Sequence, residues 1–367
     1  MQDILSRYAQ LLVGYSLDIR PGDRLFINTT LLAEPLVREV YRHALRAGAA
    51  VDVEWEFEGM HQILHEEAGP AHLSHVSPLY DKAMETYEAY LYIIAPFEAV
   101  RSYPAVPEKA AARREAYKEA RERYTQRTAS RSLKRSLCLY PTTVSAREAG
   151  MSLEEYERFV YNACKLYEAD PIQSWLDVRR SQQGIVDHLN QCTEIRYIAP
   201  GTDLRFSTRG RTWINSDGQT NMPSGEVYTS PVEDSVQGEV YFSFPATYDG
   251  NELEGVKLWV ENGRIARWDA RRGKEALDHV FEKIEGARYF GEAAIGTNYS
   301  IQRQTRNILF DEKMGGTFHL AIGQSYLQTG GKNHSDIHWD FISDMRQEGE
   351  IWADGRKIYE KGYFLPF

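Results

Sequence analysis

The hydrophobic pattern of the chain changes near residue 190, and this change restricts the possible folds more than any other feature. Before it, apolar runs of strand length alternate with segments whose apolar residues recur at helical spacing. After it, alternating runs such as EVYFSFPA and VKLWVENGRIARWDA are broken by Gly, Asn and Asp turns. We therefore predict an α/β N-terminal domain with a mainly parallel sheet (residues 1–190). An α+β C-terminal domain rich in antiparallel strands should follow (residues 191–367).

The N-terminal half begins with a βαβ unit, because a helical segment connects its first two strand-like runs. Four such runs in this half predict a parallel sheet of four or more strands. The predicted strands are residues 24–28, 51–57, 89–96 and 136–142. The predicted helices are residues 3–17, 31–46, 108–124, 152–167 and 171–189. In the second half, Asn262-Gly263 is the clearest hairpin signal.

Composition and charge argue against several classes of protein. The 367 residues exceed the size at which one hydrophobic core stops growing, so two domains are expected. The formal net charge is -10 and long runs of like charge are absent, which argues against nucleic acid or an anionic membrane as a partner. The sequence contains neither a long apolar run nor a start typical of a signal peptide, so we expect a cytoplasmic protein.

The densest group of potential metal ligands lies in the segment HSDIHWD (residues 334–340). His338 and Asp340 are separated by one residue. On a strand, positions i and i+2 point to the same side, so an imidazole and a carboxylate could converge on one ion. A hydrogen-bonded surface pair would give the same triplet, and the triplet alone does not decide between the two.

Other acidic and imidazole groups lie beside turns and strands further upstream. Glu226 follows a Pro-Ser-Gly turn, and Glu292 follows a glycine before an apolar run. The segment FDEKMGGTFHLAIGQSY contains Glu312, His319 and Tyr326 around a double glycine that would let the backbone approach a site closely. Each residue alone is also explained by a solvated surface or a satisfied core histidine. Their combination favours a functional site.

Four C-terminal segments resemble the thermophilic-type aminopeptidases, the family of aminopeptidase T and aminopeptidase S. The segments are NMPSGEVYTSP, GEAAIGTN, LFDEKMGGTFHLAIGQSY and HSDIHWDFISDMR. A weaker likeness in PGDRLFIN, GAAVDVEWEF and APGTDLRFSTRGR extends the resemblance over most of the chain.

The resemblance implies an aminopeptidase that releases N-terminal amino acids from peptides with a free N-terminus, in homodimers that enclose the site. It also implies two divalent ions held by carboxylates and imidazoles, and ligands of these types suit Zn²⁺, Co²⁺, Mn²⁺ or Mg²⁺. The implied metal ligands are Glu226, Glu292, His319, His338 and Asp340. Glu312 matches a family carboxylate that is either a ligand or the general base, and Tyr326 matches a tyrosine at or beside the metals.

In a two-metal site of this kind the ions activate a water molecule and polarise the scissile carbonyl. Glu312 is the first candidate and Glu292 the second for accepting the proton of that water. Tyr326 would either donate a hydrogen bond to the oxyanion or support a metal ligand. The N-terminal domain is expected to restrict access to the site and to supply dimer contacts.

Two other functions stay open at this point. A mononuclear Fe(II) ring-cleaving dioxygenase needs only two histidines and one carboxylate, and would have no use for Glu226, Glu292 and Glu312. A non-catalytic peptide-binding protein on the same scaffold would be favoured by loss of ligands, and the ligand types are all present.

Overall fold

The computed structural model describes residues 2–98, 107–248 and 250–366. The chain forms two compact units, each built from two stretches of sequence. The first unit comprises Met1–Ser174 and Gly218–Pro223, and the second comprises Trp175–Asp217 and Ser224–Phe367. Within the described ranges, no helix has both the length and the apolar character that crossing a membrane requires.

Twelve α-helices and twenty β-strands form the described part of the chain. The helices are α1 (Gln2–Leu11), α2 (Glu34–Arg46), α3 (Met60–Glu67), α4 (Pro70–Leu73), α5 (Pro78–Thr86), α6 (Pro107–Ala116), α7 (Lys118–Ala129), α8 (Thr143–Glu148), α9 (Leu153–Ala163), α10 (Pro171–Leu189), α11 (Lys274–Lys283) and α12 (Ile308–Asp311). The strands are β1 (Arg24–Thr30), β2 (Ala50–Glu56), β3 (Ala89–Ile94), β4 (Lys134–Leu139), β5 (Glu194–Ala199), β6 (Thr202–Ser207), β7 (Ile214–Ser216), β8 (Asn221–Met222), β9 (Glu226–Thr229), β10 (Gln237–Tyr241), β11 (Ala246–Tyr248), β12 (Asn251–Leu253), β13 (Lys257–Glu261), β14 (Arg264–Asp269), β15 (Phe290–Gly296), β16 (Thr317–Gly323), β17 (His338–Asp344), β18 (Glu350–Ala353), β19 (Arg356–Glu360) and β20 (Tyr363–Phe364).

The first unit contains a five-stranded parallel sheet in the order β2-β1-β3-β4-β8. Leu25, Phe26 and Ile27 of β1 are fully buried, as expected for an inner strand of a sheet covered on both faces. The fifth strand, β8, comes from the short segment Gly218–Pro223, which returns from the second half of the chain. The predicted α/β fold with a mainly parallel sheet is confirmed.

Two predicted helices differ from those in the structure. The helix predicted over residues 3–17 is α1 followed by a π-helical turn at Leu12–Ser16. The stretch predicted as one helix over residues 108–124 is divided into α6 and α7 at Tyr117, whose backbone has φ -85° and ψ 3°. The Tyr117 hydroxyl accepts a hydrogen bond from the backbone N–H of Ser77, which ties the break to the start of α5.

The second unit contains two antiparallel sheets and a small two-stranded ribbon, β11-β12. The larger sheet has the order β14-β13-β10-β6-β5-β18-β19-β20, and the smaller has the order β17-β16-β15-β9-β7. Asn262 and Gly263 form the predicted hairpin turn between β13 and β14. The predicted α+β domain rich in antiparallel strands is therefore confirmed.

The two sheets of the second unit share one hydrophobic core. Tyr197 of the larger sheet and Phe318 of the smaller sheet are fully buried, and their ring centroids lie 4.9 Å apart. Nearby, the rings of Phe242 and Phe341 lie 5.2 Å apart. Because the smaller sheet packs on this core, the strands that carry the candidate site are held rigidly from one side.

The compact units divide inside α10, between Ser174 and Trp175, whereas the sequence pattern changes near residue 190. The spacing of apolar residues stays helical along the whole of a helix, even where the helix passes from one hydrophobic core to the next. The sequence pattern therefore cannot show a boundary that lies inside α10. The α10 side chains that belong to the core of the second unit are Ile185, Val186 and Leu189.

Candidate metal centre

Four neighbouring strands of the smaller sheet carry the predicted metal ligands. Glu226 is the first residue of β9, Glu292 lies near the start of β15, and His319 lies in β16. His338 and Asp340 are the first and third residues of β17. Glu292 and Asp340 pair in register with the same residue of β16, so their strands approach from its two sides. The sheet brings together five side chains that are far apart in sequence.

The imidazoles lie between the carboxylates. His338 Nε2 is 3.1 Å from Glu292 Oε2 and 3.7 Å from Asp340 Oδ1. His319 Nε2 is 3.5 Å from Glu226 Oε2 and 3.9 Å from Glu292 Oε1. Four of the five side chains are nearly or fully buried, and His338 is 23% exposed. The cluster is thus a compact, largely desolvated set of acids and imidazoles.

The ligand atoms form two overlapping groups. Glu292, His338 and Asp340 make one group, and Glu312, His319 and Asp340 make the other. Within each group, one ligand atom per residue lies within 4.8 Å of the others. Asp340 belongs to both groups, which is the position that a carboxylate shared between two ions would take.

Unpaired atoms in the cluster fit a bound cation. Among the described residues, Glu226 Oε2, His319 Nδ1 and Asp340 Oδ1 are buried without a hydrogen-bond partner. Each unsatisfied buried polar atom costs about 1–3 kcal/mol. A divalent ion would satisfy the two carboxylate oxygens, and a set of carboxylates and imidazoles without thiolate suits Zn²⁺, Co²⁺ or Mn²⁺. The residues therefore fit the metal site that the sequence predicts.

His338 is oriented by a backbone carbonyl. Its Nδ1 lies 2.8 Å from the carbonyl oxygen of Gln324, so the Nδ1–H donates to that oxygen. The other ring nitrogen, Nε2, then faces Glu292 and Asp340. Histidine ligands are commonly held in this way, with one nitrogen bonded to the protein and the other directed at the ion.

Burial opposes charge throughout the cluster. Burial raises the pKa of Glu226 and of Asp340 above the ordinary values for carboxyl groups. Burial also acts to raise the pKa of Glu292, but contacts with His319 and His338 outweigh it and lower that pKa. For the imidazoles, burial acts to lower the pKa, but the surrounding carboxylates raise it to about 9 for His319 and about 10 for His338. Protons on the imidazoles thus balance part of the negative charge.

Sequence reasoning missed Lys313, which is fully buried against the cluster. Its Nζ lies 3.5 Å from Glu226 Oε1 and donates a hydrogen bond to Glu312 Oε1. Burial lowers the pKa of Lys313, but the charges of Glu226 and Glu312 raise it above its ordinary value, so the amine is a cation. The only signal in the sequence is a lysine that directly precedes the apolar run MGGTFHLAIG.

The two predicted catalytic residues lie at the margin of the cluster. Glu312 follows α12, is 15% exposed, and belongs to the group with His319 and Asp340. Tyr326 is 37% exposed, and its ring centroid lies 4.9 Å from that of His338. Partial burial and nearby carboxylates raise the pKa of Tyr326, so its phenol keeps the proton that a hydrogen-bond donor needs.

Glycine is required directly before Glu226. Gly225 has φ +115°, and a Cβ there would lie 2.7 Å from Asn298 Cβ. The carbonyl of Glu226 accepts a hydrogen bond of 3.2 Å from the side chain of Gln182. These contacts fix the backbone from which the Glu226 carboxylate projects.

We expect Gly225→Ala to lower the stability of the protein by about 2–3 kcal/mol, through backbone strain and the contact with Asn298. Gly355→Ala is the matched control, since Gly355 has φ +78° and no atom within 4 Å of the added Cβ. Urea denaturation followed by tryptophan fluorescence measures both. Equal losses of stability in the two variants would show that the contact of the added Cβ with Asn298 does not destabilise the protein.

The double glycine, Gly315-Gly316, has a different role from the one that the sequence suggested. A Cβ at Gly315 would lie 2.4 Å from the Tyr299 ring, and one at Gly316 would lie 2.4 Å from Arg346 Cγ. The two glycines therefore allow the backbone to pack closely against Tyr299 and Arg346. They do not bring the backbone close to the metal cluster, as the sequence had suggested.

Comparison with known proteins identifies relatives along the full chain. Residues 1–364 match the thermophilic metalloprotease family (M29). Aminopeptidase AmpS from Bacillus subtilis is 30% identical over 431 aligned residues, which cover 98% of this chain and 97% of the relative.

Two solved structures share the fold. Wild-type AmpT from Thermus thermophilus matches with a TM-score of 0.84 and 24% identity, covering 99% of both chains. A 2,5-dihydroxypyridine dioxygenase from Pseudomonas putida KT2440 matches with a TM-score of 0.58 and 12% identity, covering 98% of this chain and 96% of the other. At these identities the structural likeness concerns the fold alone.

The family match and its relatives define the class of this protein as a metal-dependent peptidase. Within that class, the chain belongs to the thermophilic metalloprotease family M29.

Proposed function

We propose that this chain is an aminopeptidase that uses two divalent ions to remove N-terminal residues from peptides. The observation that carries the two-ion mechanism is the position of Asp340, which belongs to both groups of potential ligands. The names of the relatives support the choice of aminopeptidase among peptidases.

Glu292, His338 and Asp340 would hold one ion, and Glu312, His319 and Asp340 the other. Glu226 would complete the second position, because its carboxylate lies 3.5 Å from His319. When bound, the ions supply Lewis acidity, which lowers the pKa of a water molecule and polarises the scissile carbonyl.

Residues of the chain supply the other parts of the chemistry. Glu312 is the proposed proton acceptor, because its side chain is 15% exposed and is the most exposed carboxylate of the cluster. Glu312 can serve as the base or as a ligand, and Glu292 is the second candidate for the base. The protonated phenol of Tyr326 would donate a hydrogen bond to the oxyanion.

The acidity of the cluster explains a requirement for a free N-terminus. The four carboxylates of the cluster outnumber the positively charged groups beside them, which are Lys313 and the two imidazoles. An acidic pocket attracts the amino group of a free peptide, whereas an acetylated N-terminus has no charge to attract and needs more room.

The proposal also assigns roles to the two domains, a location and an oligomeric state. Residues 191–367 would form the catalytic domain, and residues 1–190 the domain that restricts access. The protein would be a cytoplasmic homodimer. The resemblance in sequence supports the homodimer, and light scattering of the purified protein tests it.

A pair of matched substrates tests the proposed function. Metal-stripped protein is assayed with a free dipeptide amide and its N-acetylated twin, before and after addition of Co²⁺, Zn²⁺, Mn²⁺ or Fe²⁺. We expect metal-dependent cleavage of the free peptide only, with at least about a thousandfold preference over the acetylated peptide.

Other outcomes of this assay would contradict the proposal. Cleavage of both peptides would indicate an endopeptidase-like site. No cleavage, combined with Fe²⁺-dependent oxygen uptake on a hydroxylated ring, would support a dioxygenase. Peptide binding without turnover under every metal condition would support a non-catalytic binding protein.

A further inference from the structure

The buried lysine lies at one side of the metal cluster. Lys313 Nζ contacts Glu312 and lies 3.5 Å from Glu226, and no part of its side chain is exposed. Both of these acids are close to His319, because Glu226 lies 3.5 Å from it and Glu312 shares a group of potential ligands with it. A charged amine is rarely buried without acidic partners, and Lys313 has two.

On the other side of the cluster, the close ion pairs are made with imidazoles. Among the described residues, the ion pairs of Glu292 and Asp340 are made with His338 and His319, and none is made with a lysine or an arginine. A lysine amine offers three donors and no acceptor, so Lys313 cannot serve as a ligand to a cation while it contacts Glu312 and Glu226. A lysine amine therefore lies beside the group of Glu312, His319 and Asp340, and no lysine or arginine is paired with Glu292, the acid particular to the other group, among the described residues.

A fixed positive charge weakens the binding of a cation beside it. The interaction is screened little because the groups are desolvated. Lys313 also donates to Glu312 Oε1, one of the oxygens that an ion in this group would need. Both effects act on the group formed by Glu312, His319 and Asp340.

We propose that Lys313 makes the two ion positions unequal. The position at Glu292, His338 and Asp340 fills first, and the position at Glu312, His319 and Asp340 fills second and binds its ion more weakly. This inference rests on the proposed two-ion function and adds an order of filling to it. The ion beside the proposed base is then the one that is lost first when divalent metal is scarce.

Titration of metal-stripped protein with Co²⁺ measures the two affinities by calorimetry and by the visible absorption of bound cobalt. We expect two binding steps, with dissociation constants at least about tenfold apart. Lys313→Met removes the charge and keeps an unbranched side chain of similar length. In this variant the second step should tighten by at least about tenfold.

Two controls separate charge from packing. Lys313→Arg keeps the charge and should keep the two steps apart. Lys283→Met removes an exposed lysine from the last turn of α11 and should change neither step. A tightened second step in Lys313→Met but not in Lys313→Arg is a result that a merely structural lysine would not give.

The order of filling can also be measured without any substitution of Lys313, in case its variants do not fold. Protein labelled with ¹³C-histidine is titrated with Zn²⁺, and the His319 and His338 signals are assigned from His→Gln variants. One equivalent should shift the His338 signals, and the second equivalent should shift the His319 signals.

The outcomes distinguish this inference from the function on which it rests. Binding of a single ion by the wild-type protein would overturn the two-ion function itself. Two ions with His319 shifting first, or an unchanged ratio of affinities in Lys313→Met, would overturn the role of Lys313 and leave the two-ion function standing.

Discussion

Asp340→Asn is expected to reduce hydrolysis of a free dipeptide by more than about a thousandfold and to reduce bound metal below two ions per chain. Asp340 is common to both groups of ligand atoms, so its loss weakens both positions together. The amide has nearly the same size as the carboxylate but lacks its negative charge. Loss of activity should therefore occur without loss of the fold.

Asp336→Asn is the matched control for this prediction. Asp336 lies in the same segment, four residues before Asp340, and is exposed. Hydrolysis, metal content by mass spectrometry and circular dichroism are measured for both variants. Full activity and two bound ions in Asp340→Asn would remove Asp340 from the site.

Lys313→Met is expected to lower the free energy of unfolding of the metal-free protein by about 3–5 kcal/mol, because it leaves two buried acids without their cation. Glu226 and Glu312 would then both lose the amine that lies beside them. Divalent metal should recover most of this loss, since the ion replaces the missing positive charge. Urea denaturation with and without Zn²⁺ measures both effects.

Lys283→Met is the control, and a change within about 0.5 kcal/mol is expected for this exposed position. A loss of less than about 1 kcal/mol in metal-free Lys313→Met would indicate that water replaces the amine. A loss that Zn²⁺ does not recover would indicate that Lys313 acts through packing.

Much of the fold could be predicted because the apolar spacing of each segment matches its structure. The strand β3 and helix α10 lie where periodicity put them, and α9 begins with the capping box at Ser152 and Glu155. The two-residue strand β8 could not be predicted, since two residues contain no period. The break between α6 and α7 depends on a tertiary contact of Tyr117, which the local sequence does not contain.

For the site, the sequence indicated which residues are potential metal ligands, but it did not indicate how they are arranged in space. Alternation predicts that a segment is a strand, but it does not tell which strands are neighbours. The grouping of Glu292 with His338 and Asp340 depends on the order β17-β16-β15, which only the structure gives. The complete burial of Lys313 could not be predicted from the sequence either, because lysine is ordinarily a surface residue.

The strand that carries His338 and Asp340 is the last in its sheet, with one neighbouring strand, β16, among the described residues of that sheet. Terminal strands open more readily than inner ones, and their opening needs only a small part of the total unfolding free energy. When β17 opens, each group of ligands loses at least one member. Ions held as proposed would connect β17 to the inner strands β15 and β16, so metal binding would keep this terminal strand in its sheet.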